Sequence, residues 1–172
     1  MGKTGRLPNP VCWQRIYCMR LRLALTAVAA MLTTVLFAPS SAQAAPDGIA
    51  CSAVGSYSRV INNTGYTFWL VGTYGNYRYW HVERYVSSTP YHDRSYVVRC
   101  SGSVIDWSTD IVPSSGVPAR CNPQSSLSYK YIGAHDSYPF GSVFLTRYNY
   151  WHVLGFSPTG GLAYHHSEVA TC

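Results

Sequence analysis

The hexapeptide Tyr77-Arg78-Tyr79-Trp80-His81-Val82 occurs again as Tyr148-Asn149-Tyr150-Trp151-His152-Val153, with five of six positions identical. A chain that carries one aromatic stretch twice must place it twice, and this constrains the fold more than any overall property of the sequence. Cysteines stand at matching distances around the copies. Cys51 lies 26 residues before Tyr77 and Cys121 lies 27 before Tyr148, while Cys100 and Cys172 follow by 23 and 24. The pattern Ser-x-Val-x-x-Cys closes both stretches (Ser95, Val97, Cys100; Ser167, Val169, Cys172), with a Tyr-His pair upstream in each (Tyr91-His92; Tyr164-His165). We read two repeats, 51–100 and 121–172, joined by a linker at 101–120 whose second half is rich in Ser, Pro and Gly and whose Val104-Ile105-Asp106-Trp107 is a candidate strand. The simplest pairing is Cys51 with Cys100 and Cys121 with Cys172, one of the three that four cysteines allow.

Upstream, Arg20 and Arg22 precede the 16-residue apolar run Leu23 to Ala38 and the small-residue stretch Ser40-Ser41-Ala42-Gln43-Ala44. Basic, apolar and small-residue parts in that order spell a bacterial-style secretory signal peptide over 1–44, cleaved before Ala45, with Met19 as a candidate start inside it. The run falls short of the ~18 apolar residues of a spanning helix and no later segment approaches that length, so no membrane span is expected. Removing the leader takes Cys12 and Cys18 with it. The even set of four that remains in 45–172 points to two disulfides and to a secreted, extracellular protein. Charge changes as well, because eight basic residues now face seven acids. Nucleic acid is thereby excluded as a partner, since binding to phosphates needs a clear excess of Lys and Arg.

The fold class expected is all-β. Eight runs rich in Val, Tyr, Phe and Trp (57–61, 66–71, 77–85, 96–100, 128–132, 143–147, 148–156 and 162–169) are punctuated by Gly, Asn, Pro and Ser. Two tandem disulfide-closed β repeats fit either a sandwich or a barrel with pseudo-twofold symmetry, and both stay open at this point.

Strand periodicity sorts the repeated hexapeptide into two faces. Trp80, Val82, Trp151 and Val153 form an apolar face suited to a core. On the opposite face Tyr77, Tyr79 and His81 match Tyr148, Tyr150 and His152. Flat rings with polar tips suit sugar rings or a protein partner, which makes these six the candidate ligand-binding residues. The competing assignment puts both strips in the core or between the repeats. The six histidines lack a helical H-x-x-x-H or a supporting carboxylate pair, so no metal and no cofactor is expected. Asp106 and Asp110 flank Trp107 in the linker without defining an acid/base pair, and no G-x-S-x-G elbow is present.

Phe140-Gly141-Ser142-Val143-Phe144, Arg147, His152 and Tyr164-His165 together resemble, over less than a third of the chain, the small secreted guanyl-specific ribonucleases. Their general base is a strand glutamate, and Trp151-His152-Val153 supplies none, so the resemblance carries no activity over. The sequence therefore points to binding rather than catalysis, with a cell-envelope or environmental polysaccharide as first partner. An extracellular protein is the second, met by loops at 86–94 or 133–141 of an inhibitor or toxin-like effector. A histidine-dependent hydrolase comes third.

Overall fold

Tight turns with left-handed backbone build the larger of two sheets. Asn62 and Asn63 have φ of 49° and 61°, and Ser87 and Ser88 have 49° and 71°. Paired positive φ values match the right-handed twist of flanking strands and join them as hairpins. In the computed structural model, which describes residues 49–172, these turns connect β1 (Ser56–Ile61) to β2 (Thr64–Tyr74) and β3 (Tyr77–Val86) to β4 (Thr89–Ser101). Gly75, with φ of 57°, turns β2 into β3, and Gly102, with φ of 61°, turns β4 into β5 (Val104–Asp110). The product is an antiparallel meander in the order β1-β2-β3-β4-β5. The signal peptide expected over 1–44 lies outside the described residues, as do Cys12 and Cys18.

The second sheet follows a short segment, β6 (Pro113–Ser114), and a single turn of helix, α1 (Pro118–Cys121). Strands β7 (Tyr129–Ser137), β8 (Thr146–Phe156) and β9 (Leu162–Thr171) complete it in the order β6-β9-β8-β7, with β6 parallel to β9. The chain is thus all-β with two sheets. Two disulfides close it, Cys51–Cys100 and Cys121–Cys172, the pairing favoured by the cysteine spacing. Among the described residues no helix is long and apolar enough to cross a membrane.

The structure decides three local expectations. Residues 104–110, inside the stretch read as a linker, form the edge strand β5, because Val104-Ile105-Asp106-Trp107 carries strand-forming side chains ahead of the Ser/Pro/Gly-rich part. Val143, Phe144 and Leu145 belong to the exposed β7–β8 loop rather than to a strand, and β8 begins at Thr146. The loops expected at 86–94 and 133–141 shrink: Ser87-Ser88 alone turns β3 into β4, and β7 continues to Ser137.

Two apolar clusters organise the interior. On one face of the larger sheet Phe68, Trp80, Val82 and Val98 pack with Ile49 and the Cys51–Cys100 bridge. The other cluster draws on both sheets, with Tyr79 and Val97 from the larger and Tyr148, Tyr150 and Val169 from the smaller. Where β2 meets β7 the backbones come close. A Cβ placed on Gly72 would stand 2.7 Å from the Ile132 carbonyl oxygen, and one on Gly133 would stand 2.7 Å from that of Val71. Both glycines sit at register shifts, Leu70/Gly72 and Tyr131/Gly133.

Candidate functional site

The two hexapeptides lie on β3 and β8, each hydrogen-bonded on both sides within its sheet. Strand alternation sends Trp80 and Val82 to the outer cluster, while Trp151 is buried beside α1 and donates from Nε1 to the Arg120 carbonyl at 3.1 Å. The opposite face is covered too, because the two sheets meet there. Tyr79, His81 and Tyr150 are 0% exposed, His152 is 1% and Tyr148 is 2%. Of the six candidate residues, Tyr77 alone keeps partial exposure.

Burying a hydroxyl or an imidazole is costly unless it finds a partner. Here the partners are exchanged between sheets. Tyr79 Oη lies 2.6 Å from His152 Nδ1 and 3.1 Å from Ser167 Oγ. Tyr150 Oη lies 2.8 Å from His81 Nδ1 and 2.7 Å from Ser95 Oγ. Each tyrosine thus takes its histidine and serine from the other copy of the hexapeptide and the other closing motif.

Around these two groups the lining diverges. Near His152 stand the rings of Tyr74 at 4.4 Å, Tyr77 at 5.0 Å and Tyr164 at 5.1 Å, with Tyr77 stacked on Tyr164 at 4.5 Å. Near His81 stand His135 at 4.4 Å, His92 at 4.8 Å and Tyr148 at 5.0 Å, with His92 stacked on Tyr148 at 4.4 Å. One group is therefore aromatic and phenolic, the other rich in imidazole. Glu83 joins the second group, accepting from Trp69 Nε1 at 2.8 Å and lying 3.2 Å from His135 Nε2.

Desolvation sets the protonation. It lowers His152 to about 4 and His81 to about 2. It also lowers His92 to about 4, against the opposing pull of Asp93 and Glu83. These three imidazoles are neutral at pH 7. Burial raises Tyr148 to about 12 and lifts Tyr79 and Tyr150 further, so all three remain neutral phenols. Burial also raises the Glu83 carboxyl, but hydrogen bonds from His135 and Trp69 outweigh it and hold the group below the usual glutamate range.

The tyrosine-lined group opens to solvent as a cleft. It measures about 420 Å³ and is lined by Tyr74, Tyr77, Lys130, His152, Leu162 and Tyr164 among others. Tyr77 and His152 come from the six sequence candidates. Tyr79 supports His152 from the interior, while His81, Tyr148 and Tyr150 belong with the imidazole-rich group. A smaller cleft of about 250 Å³, between Ile61, Phe68, Val82 and Arg94, holds no candidate residue. No protein family, no curated protein and no solved structure matches this chain.

Catalytic constellations are weak by comparison. Arg99 donates to Asp106 at 2.8 Å, which ties that carboxylate into a surface ion pair. Ser95 and His92 lie 3.1 Å apart, yet Ser95 is 1% exposed and beyond the reach of a substrate. Arg84 and Arg94 both pair with Asp93.

Sequence reasoning missed Tyr74 and Lys130 on one side and Trp69 and His135 on the other. The signal that finds them is the pair of glycines. Tyr74 and His135 each stand two residues after Gly72 or Gly133, and Trp69 and Lys130 each stand three before.

Proposed function

We propose that this chain is a secreted bacterial binding protein, two tandem disulfide-closed β repeats packed as a sandwich, that takes a cell-envelope or environmental polysaccharide in the cleft at Tyr74, Tyr77 and Tyr164. The observation that carries this reading is the cleft itself: about 420 Å³, aromatic, rimmed by Lys130 and floored by a neutral histidine. Stacked phenols give a sugar ring an apolar platform, and their hydroxyls with the lysine ammonium supply hydrogen bonds at its rim. The absence of an accessible nucleophile beside a base favours binding over turnover among the described residues. The exchanged Tyr–His–Ser partners, the paired glycines and the two disulfides support the repeat architecture. The apolar leader and the disulfides support export.

Co-sedimentation of the oxidised protein with washed cell walls, chitin and cellulose tests the reading. Retention is expected to resist salt and to fall about tenfold or more when Tyr77→Ala and Tyr164→Ala are combined, with circular dichroism unchanged. Undiminished retention in that variant would remove the cleft as the binding surface. Combining Tyr79→Ala with Tyr150→Ala is no substitute, because both side chains support the interior.

One observation favours a second reading, an extracellular protein partner. The β7–β8 loop exposes Phe140, Val143, Phe144 and Leu145 at 57–83%. Clustered apolar side chains at a loop tip suit a partner's surface. If retention drops with Phe144→Ser and not with the tyrosine changes, the loop is the contact and the protein-partner reading replaces the glycan one.

A further inference from the structure

The imidazole-rich group has no part in the cleft just described. His81 and Glu83 come from β3 and His135 from β7, and each presents a ligand atom, nitrogen or carboxylate oxygen, within 4.8 Å of the others. His81 spends Nδ1 on Tyr150 Oη, and its buried Nε2 has no hydrogen-bond partner. An unpaired ring nitrogen in a fully buried histidine is a cost that a fold does not ordinarily carry. We propose that His81, Glu83 and His135 form a binding site for a divalent first-row transition metal of the zinc type.

Two imidazoles and one carboxylate are a donor set that zinc accepts, with a fourth position left for water. Tetrahedral bonds of about 2.0–2.1 Å put ligand atoms roughly 3.4 Å apart, so the three groups need to close by about an ångström and a half at most. The orienting contacts are in place. Tyr150 Oη fixes His81 through Nδ1, and Trp69 Nε1 fixes Glu83 through Oε2. Such outer hydrogen bonds aim the ligands and hold the imidazole tautomer that leaves the binding nitrogen bare. Ser95 links Tyr150 Oη at 2.7 Å to His92 Nε2 at 3.1 Å, which extends the support to β4. A metal can enter from one side, because the His135 side chain is 20% exposed while Glu83 is 6% exposed. Where His81 has His135, Glu83 and His92 around it, His152 has Tyr74, Leu154 and Tyr164. Among the described residues the second set adds neither a carboxylate nor another imidazole to His152, so one metal per chain is expected.

Zinc titration of the metal-stripped, oxidised protein by calorimetry, with Co²⁺ absorption as a second readout, tests the site. One equivalent is expected to bind, with the intense visible bands of four-coordinate cobalt. His135→Ala and, separately, the shape-conserving Glu83→Gln are each expected to weaken zinc binding at least about a hundredfold. The adjacent surface pair His165 and His166, whose Nδ1 atoms lie 2.6 Å apart, supplies the control. Changing both to alanine is expected to leave affinity unchanged. Absence of saturable binding overturns the proposal. So does binding that survives Glu83→Gln and His135→Ala and disappears with the His165/His166 change. Circular dichroism of each variant separates lost ligands from a lost fold.

Discussion

His152 is a base held without its proton. Desolvation lowers it from 6.5 to about 4 in the folded chain, where Tyr79 Oη sits 2.6 Å from Nδ1 and the rings of Tyr74, Tyr77 and Tyr164 surround it. Lys130, across the β7–β8 ladder, is the one cation lining the same cleft. The unfolded chain takes up a proton near pH 6.5 and the folded one does not, so between about 6.5 and 4 the unfolded state binds more protons. Stability from this residue is full above pH 6.5 and is lost as pH falls toward 4, by up to about a factor of ten in the folding constant per pH unit. Denaturant titrations at pH 7, 6, 5 and 4 check this. His152→Gln, which does not titrate, is expected to be less stable at pH 7 and to show a shallower decline on acidification than the parent. An equal decline in both would place the acid sensitivity elsewhere.

At the scale of elements, β2 and β7 approach each other backbone to backbone at two glycines. Gly72→Ala and Gly133→Ala each drive a methyl group to 2.7 Å from a backbone carbonyl oxygen, which a side-chain rotation cannot relieve. Each is expected to destabilise by about 1–3 kcal/mol in urea unfolding, whereas Gly75→Ala, whose Cβ meets nothing within 4 Å, disturbs only its own positive-φ turn. The strands themselves were legible in the sequence where β-branched and aromatic residues met strong turn formers, as at Asn62-Asn63 and Gly75. The Ser87-Ser88 turn was not, because serine carries little preference for a left-handed backbone, and β4 therefore starts earlier than its composition suggests. Phe144 and Leu145 misled in the opposite direction. Their apolarity suits a strand, and only the absence of a neighbouring strand puts them in a loop. The tyrosine strips were found as a pattern but not as an interior, since periodicity names faces without saying what covers them. His135 joins His81 from 54 positions away, a juxtaposition that no local spacing encodes.

The whole molecule rests on two cross-links, each closing a long loop, 49 residues apart in one case and 51 in the other. In the chain-entropy account each stabilises by about 4 kcal/mol. Replacing Cys51 and Cys100 together by serine is expected to lower the unfolding free energy by about that amount in urea. The Cys121/Cys172 replacement is expected to cost a similar amount, and near-equality of the two would follow from the near-equality of their loops. A loss below about 1 kcal/mol for either would mean that residual structure in the unfolded chain already brings its ends together.

The exchanged hydroxyl contacts also set a timetable for synthesis. Tyr79 finds its serine 88 positions downstream, and Tyr150 finds one 55 positions upstream. A nascent chain that has emerged as far as Cys100 can form its first hairpins and its first cross-link. Its central tyrosine and histidine still face water. Closure waits for the last strand, so folding is governed by the slow search for distant partners rather than by the fast local turns. The half made first is finished last.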